Sequence, residues 1–145
     1  MHTPKKITSQ DTFAVRQPVL RPGKAIETCI FDGDDLPSTI HFGIYDEQML
    51  VGVISIFKAS SPYFNEKEQF QIRGMAVLDT EQKKGLGQKL VLEAEAYIAQ
   101  NNGERIWFNA REIAVGFYQK MGYAIIGEVF TIEGVGAHYV MHKLI

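Results

Sequence analysis

The sequence contains one cysteine, Cys29, in 145 residues, so no disulfide can form within the chain. This absence excludes a small secreted scaffold held together by disulfides. An excess of either charge is also absent, because 15 basic and 17 acidic residues leave a formal net charge of −2. Nucleic acid and membrane surfaces, which attract strongly basic chains, are therefore not expected as partners.

Long apolar runs are missing as well. The longest, residues 49–57, contains Gly52 and Ser55 and is too short to span a bilayer. The first ten residues, MHTPKKITSQ, lack the apolar segment of a signal peptide, and we expect a cytoplasmic protein. No repeat or Pro/Gly/Ser-rich linker divides the chain, and its hydrophobic share of 46% is ordinary for a globular protein. We expect one domain over residues 1–145.

The first half of the chain predicts strands after an irregular start. A short strand at residues 5–8 precedes a helix from about Gln10, with Ser9 as its cap, which Pro18 and Pro22 make irregular or kinked. Apolar and polar residues then alternate over residues 39–45, which predicts a half-buried strand with a hairpin partner at residues 49–57. A further strand at residues 69–78 contains Gly74, which is typical of a bulge or of close approach by a ligand.

The second half alternates helices and strands. Apolar residues at three- and four-residue spacing predict a helix from Leu86 that ends at residues 101–103. A strand at residues 105–109, a helix at about 112–120 and two last strands at 124–132 and 138–144 follow. The sum predicts a mixed α/β (α+β) domain with one central sheet.

The segment EQKKGLGQKL, residues 81–90, places two lysines and two glycines at the start of the long helix. Each glycine costs about 1 kcal/mol of helix stability relative to alanine, so an anion on the free N–H groups is the expected compensation. A P-loop is excluded, because Lys89 is not followed by Ser or Thr. A dinucleotide fingerprint is disfavoured, because Leu90 replaces its third glycine and no acidic residue ends the next strand. A plain turn with solvated lysines is the remaining alternative.

Two segments resemble a known family. The Q-x-x-G-x-G run from Gln82 to Gly87 resembles the acetyl-CoA pyrophosphate loop of the GNAT superfamily of N-acetyltransferases. The run AVGFYQKMGY, residues 114–123, resembles the GNAT segment in which a helix carries Phe-Tyr and ends at GF or GY. The resemblance covers residues 39–144. It implies a single GNAT-like domain with a mostly antiparallel twisted sheet, and acetyl transfer from acetyl-CoA to a primary amine.

The resemblance also implies roles for particular residues. Tyr118 is the implied proton donor to the leaving thiolate, although a core aromatic is the alternative. Backbone around Met75 and Val77 pairs with the pantetheine arm, and one N–H there polarises the thioester carbonyl. Many relatives carry asparagine where this chain has Arg111, so either Asn109 serves instead or Arg111 reaches a CoA phosphate or a substrate carboxylate. The implied acetyl-CoA contacts are Met75, Ala76, Val77, Gln82, Lys83, Lys84, Gly85, Leu86, Gly87, Gln88, Asn109, Arg111 and Tyr118.

The acceptor side is less determined by the sequence. Asp34, in the acidic run of residues 31–35, would attract a cationic amine, with a solvated turn as the alternative. Arg73 would hold a substrate carboxylate, with a surface ion pair as the alternative. His138 and Glu68 are candidate general bases, unless water relays the proton, and a solvated or packed histidine is the alternative for His138. No metal is expected, because His138 and His142 would stand about 13 Å apart on one strand.

The sequence therefore predicts an acetyl-CoA-dependent N-acetyltransferase acting on a small-molecule or amino-acid-like amine. A protein N-acetyltransferase and a non-catalytic acyl-CoA-binding or sensing module are the alternatives, since a fold does not fix a function. The exposed edges of the terminal hairpin make a homodimer an expectation.

Overall fold

The computed structural model describes residues 2–145 as one seven-stranded sheet with helices on both faces. The strand order is β1-β2-β3-β4-β5-β7-β6, and every neighbouring pair is antiparallel except β4–β5. The predicted mixed α/β fold with a mostly antiparallel central sheet is confirmed. The elements are β1 (Lys5–Ile7), α1 (Phe13–Leu20), β2 (Ile40–Asp46), β3 (Met49–Lys58), β4 (Gln69–Val77), α2 (Leu86–Gln100), β5 (Arg105–Arg111), α3 (Val115–Lys120), β6 (Ala124–Ile132) and β7 (Gly136–Leu144).

The larger part of the core lies between the sheet and helix α2. Leu86, Leu90, Ala94 and Ile98 are buried along one side of α2, at the spacing that the sequence predicts, and pack on strand residues such as Ile72. We call this side of the sheet the α2 face. On the opposite side, the α1 face, Val15 of α1 packs on Val53 and Ala76. No helix within residues 2–145 is long and apolar enough to cross a membrane.

Three local predictions in the first half are wrong. Ser9 does not cap a helix, because its hydroxyl instead donates to Asp35 and a 3-10 turn at Gln10–Thr12 leads into α1. Helix α1 runs through Pro18 to Leu20 as one helix. Strand β2 is buried on both faces over residues 41–44 rather than half-buried, because it lies between β1 and β3 and both sides of the sheet are covered there.

Gly74 forms the predicted bulge in β4. Ser55 of β3 pairs with Arg73 and Val53 pairs with Ala76, so two β4 residues stand opposite Ile54. Gly74 has φ +64, and a Cβ there would lie 2.8 Å from Phe31 Cε2, so only glycine fits without strain. The extra residue shifts the alternation of side chains along β4.

Candidate active site

Strands β4 and β5 separate along their length and leave a cleft through the sheet. They pair only at Gln69–Gln71 against Arg105–Trp107, whereas β5 stays paired with β7 along its whole length. A cavity of about 650 Å³ fills the opening, between the free edges of β4 and β5 and below the start of α2. The cleft therefore gives a ligand access to strand backbone that has no partner strand.

The glycine turn lies at one end of this cleft. Gln82 anchors the turn, because its Nε2 donates to the Val77 carbonyl at 3.1 Å and to Asp79 Oδ1 at 3.2 Å. Lys83 and Gly85 adopt left-handed backbone, with φ of 66 and 79. No side chain caps α2, and its first turn contains no acidic residue. Its first N–H groups are thus available to an anion, at the positive end of the helix dipole.

The two lysines of the turn differ in their placement. Lys83 lines the cavity. Lys84 does not, and its Nζ lies 3.2 Å from Glu81 Oε1 in an exposed ion pair. Of the thirteen residues that the resemblance implies as acetyl-CoA contacts, Lys84 alone lies outside the cavity lining.

Tyr118 lies in an aromatic cluster on the α2 face and lines the cavity. Its ring is 4.4 Å from that of Phe108, 5.0 Å from Phe117 and 6.1 Å from Tyr123, measured between centroids. Burial raises the pKa of the Tyr118 phenol above its ordinary value, so the hydroxyl keeps its proton. Within residues 2–145 the Tyr118 hydroxyl has no hydrogen-bond partner, and Tyr118 is one of the residues that line the cavity.

His138 faces the cavity from the α1 face. It lies opposite Arg111 in the β5–β7 register. Three residues further along each strand, Phe108 and Met141 pack in the core on the α2 face. Because side chains alternate between the faces, His138 lies on the other side of the sheet. Nδ1 of His138 is 2.8 Å from the Gly136 carbonyl, which can only accept, so Nδ1 carries the hydrogen. In the neutral ring Nε2 is then left with a lone pair that has no hydrogen-bond partner in the described chain, and His138 is one of the residues that line the cavity.

Arg73 and Asp34 have different surroundings from each other. Arg73 is half-buried, lines the cavity and has no carboxylate within ion-pair distance in residues 2–145, so the surface ion pair is not observed. Asp34 is buried outside the cavity lining, and both its oxygens accept from Arg16, at 2.7 and 3.1 Å. Asp34 therefore does not lie in the cleft, where it could contact an acceptor. It does not lie in a solvated turn either, because it is buried.

The second candidate base lies away from the cleft. Glu68 pairs with Lys58 at 2.9 Å, and it does not line the cavity. No group of three or more His, Cys, Asp or Glu side chains in the described residues is arranged to hold a metal ion.

Sequence reasoning missed the contribution of the N-terminal region to the cleft. Leu20 and Arg21, at the end of α1, and Phe31, in the following loop, all line the cavity. No periodicity or motif singles them out, because they reach β4 only through tertiary packing. The proline and glycine residues after α1 were the one signal that the chain turns back here.

The fold and the site define an α/β domain with an uncapped, glycine-rich helix start and a buried tyrosine on one cavity. The sequence model described as "Acetyltransferase (GNAT) family" matches residues 10–123. The protein named "Uncharacterized N-acetyltransferase YitI" of Bacillus subtilis (strain 168) is 34% identical over 139 residues, which cover 96% of this chain and 93% of that protein. The chain therefore belongs to the GNAT family of acetyltransferases, whose acetyl donor is acetyl-CoA.

Solved structures show the same fold. An aminoglycoside 6'-N-acetyltransferase complexed with coenzyme A superimposes with a TM-score of 0.74 at 17% identity, covering 97% of this chain and 96% of that chain. The ribosomal-protein-S18-alanine N-acetyltransferase from Escherichia coli gives a TM-score of 0.77 at 14% identity, covering 100% and 94%. At these identities the similarity is evidence for the fold alone.

Proposed function

We propose that this protein transfers the acetyl group of acetyl-CoA to a primary amine of a small-molecule or amino-acid-like acceptor. One observation carries the proposal: a single cavity joins an uncapped, glycine-rich helix start to a free phenol on the α2 face and a free imidazole nitrogen on the α1 face. These are the groups that an acyl transfer from a phosphorylated thioester to an amine needs.

The donor would bind along the α2 face. The N–H groups at the start of α2 and the Lys83 ammonium would hold the pyrophosphate. The pantetheine arm would lie beside Met75 and Val77, on the edge of β4 that β5 leaves unpaired. A backbone N–H of this bulged segment would stabilise the negative charge that develops on the thioester oxygen.

The chemistry removes two protons from the acceptor nitrogen and supplies one to the sulfur. An alkylammonium with a pKa near 10 is not a nucleophile until it is deprotonated, and Nε2 of His138 would accept that proton. The amine nitrogen then forms a bond to the acetyl carbon, and the bond from that carbon to sulfur breaks. The leaving thiolate takes the hydroxyl proton of Tyr118, which burial keeps on the phenol until that moment. The second proton of the acceptor nitrogen, lost as the amide forms, restores the Tyr118 hydroxyl by way of solvent.

The two alternatives predict different measurements. The same fold serves an aminoglycoside acetyltransferase and an acetyltransferase of a ribosomal protein, so a protein acceptor belongs in any assay. A non-catalytic binding module would bind acetyl-CoA and release no free thiol with any amine. The free hydroxyl of Tyr118 favours the enzyme.

The first experiment is calorimetric titration of the protein with acetyl-CoA, ATP and NADH, followed by thiol release with a panel of amines and peptides. Selective binding of acetyl-CoA with amine-dependent thiol release supports the proposal, and the absence of acetyl-CoA binding refutes it.

Variants of the two reacting side chains test their roles. Tyr118→Phe and His138→Gln should keep acetyl-CoA affinity and lower kcat by about 10²-fold or more, because each removes a proton-transfer group. Tyr139→Phe is the matched control, since this tyrosine adjoins His138 on β7 and does not line the cavity. Unchanged turnover in Tyr118→Phe would remove the proton-donor role.

A further inference from the structure

We propose that the acceptor is an amine that also carries a carboxylate, and that Arg21 and Arg73 hold this carboxylate against the Phe31 ring. The proposal rests on the acetyltransferase function proposed above and names the class of its acceptor: amino acids and related amino carboxylates.

The two arginines lie on the α1 face, across the sheet from the phosphate end of the cleft. Arg73 lies opposite Ser55 in the β3–β4 register, and the Ser55 hydroxyl accepts a hydrogen bond from Arg16 of α1. The adjacent Ile72 packs in the core on the α2 face, so Arg73 lies on the α1 face. Arg73 is 4.8 Å from the centroid of the Phe31 ring and 5.3 Å from that of Phe57. The start of α2 lies on the other face, so these arginines are placed for the acceptor rather than for the donor phosphates.

Both guanidinium groups belong to one small cluster. Arg21 is 5.5 Å from the Phe31 centroid, and the buried Arg16 is 3.9 Å from it. Stacking on an aromatic ring fixes the plane of a guanidinium and leaves its N–H edge free for a carboxylate. Arg21, Phe31 and Arg73 all line the cavity, so the two guanidinium groups lie beside one aromatic ring at its surface.

The charges around this cluster do not balance without a ligand. Arg16 is neutralised by Asp34. Arg73 and Arg21 have no carboxylate within 4 Å in the described chain, and the one hydrogen bond of the Arg21 side chain goes to the Leu20 carbonyl at 3.0 Å. Asp32 adds a Coulombic contribution at Arg73, but its carboxylate does not line the cavity.

The cavity as a whole is cationic. Three guanidinium groups line it, those of Arg21, Arg73 and Arg111, together with the Lys83 ammonium. The carboxylate among the lining residues is Glu81, at the phosphate turn, where it pairs with Lys84. Burial lowers the pKa of Arg73; the Asp34 and Asp32 carboxylates act against this shift, and the guanidinium groups of Arg16 and Arg21 add to it. A bound carboxylate would compensate the positive charge of this lining, and a polycationic acceptor would add to that charge.

The test compares two pairs of amines that differ only in the carboxylate, L-alanine with L-alaninamide and L-leucine with L-leucinamide, and adds the polycation spermidine. Initial rates of CoA thiol release give kcat/KM for the wild-type protein and for Arg73→Gln, Arg21→Gln and Arg73→Lys. The carboxylate-to-amide ratio is compared between variants, because each ratio of ratios cancels the intrinsic reactivity of the amine. Lys24→Gln is the matched control, since Lys24 is an exposed cation close in sequence that does not line the cavity.

We expect Arg73→Gln to lower kcat/KM for the carboxylates by about 10- to 100-fold and for the amides by less than about threefold, as loss of one charge-assisted hydrogen bond implies. Arg21→Gln should show the same selectivity, Arg73→Lys should recover part of the activity, and Lys24→Gln should match the wild type. Acetyl-CoA affinity, measured by calorimetry, should be unchanged in all four variants.

The failures are distinguishable. Equal losses for both members of a pair, efficient acetylation of spermidine, or a fall in acetyl-CoA affinity in Arg73→Gln would overturn the carboxylate site and leave the acetyltransferase function standing. A wild-type protein that binds no acetyl-CoA and releases no thiol with any amine would overturn the function itself, and the acceptor proposal with it.

Discussion

Gly87, the second residue of α2, offers a test in which stability and ligand affinity change in opposite directions. An ideal Cβ at Gly87 lies 3.5 Å from Phe117 Cζ and 3.6 Å from Met75 Cε, which is ordinary van der Waals contact. Alanine therefore fits the protein, and its helix propensity exceeds that of glycine by about 1 kcal/mol. Gly87→Ala should raise the free energy of unfolding by roughly 0.5–1 kcal/mol, a shift in Tm of about 2–5 °C.

The same methyl group occupies the space through which the backbone would approach the donor phosphates. Acetyl-CoA affinity should fall by about tenfold or more, the loss expected when one charge-assisted hydrogen bond is lost. Gly85→Ala is the counterpart: a Cβ there meets no atom within 4 Å, but φ is +79. Alanine at Gly85 should lower the free energy of unfolding by about 1–2 kcal/mol, because left-handed backbone is unfavourable for an L-residue.

Thermal unfolding followed by circular dichroism and calorimetric titration with acetyl-CoA measure both effects on the same samples. A Gly87→Ala protein that is more stable and binds acetyl-CoA like the wild type would refute the close approach of phosphate at this position. A less stable Gly87→Ala protein would refute the packing argument instead.

Two further predictions concern stability. Asp34→Asn leaves the Arg16 charge buried without a counter-ion, so the free energy of unfolding in denaturant titrations should fall by about 3–5 kcal/mol. The exposed Asp32→Asn is the control and should change it little. A loss below about 1 kcal/mol in Asp34→Asn would contradict this prediction. Hydrogen bonds from Arg105 lower the pKa of Glu66 to about 2, so its stabilising contribution exists above the ordinary carboxyl pKa and is lost as the pH falls through about 2. Glu66→Gln should therefore be less stable than the wild type at neutral pH and converge with it toward pH 2, and a pH-independent difference would count against the ion pair.

The elements that the sequence predicts well are those whose signal is local. Helix α2 follows from its apolar spacing, and the bulge in β4 from a glycine inside an apolar strand. Both predictions depend on residues that are close together in the sequence. The glycine turn is likewise a contiguous run, which is why most of its residues line the cavity as expected.

The features that the sequence does not predict depend on contacts between distant segments. Arg16 and Asp34 are 18 residues apart and form a buried pair only because α1 and the following loop fold onto β3 and β4. An acidic run in a loop is usually solvated, so composition alone predicts the wrong environment for Asp34. The prediction that β2 is half-buried is wrong for the same reason. An alternating pattern indicates that one face of a strand is covered, and it cannot show that the second face is covered too.

The bulge at Gly74 links the two halves of the site. In a regular strand Val77 would share the face of Arg73, because side chains repeat every second residue. With one residue inserted, Ala76 joins Arg73 on the α1 face, and Met75 and Val77 turn to the α2 face beside the glycine turn. Under the proposed function, Arg73 would thus face the acceptor, and Met75 and Val77 would face the donor. The same insertion keeps the β4 backbone at the cleft, where the two substrates would have to meet.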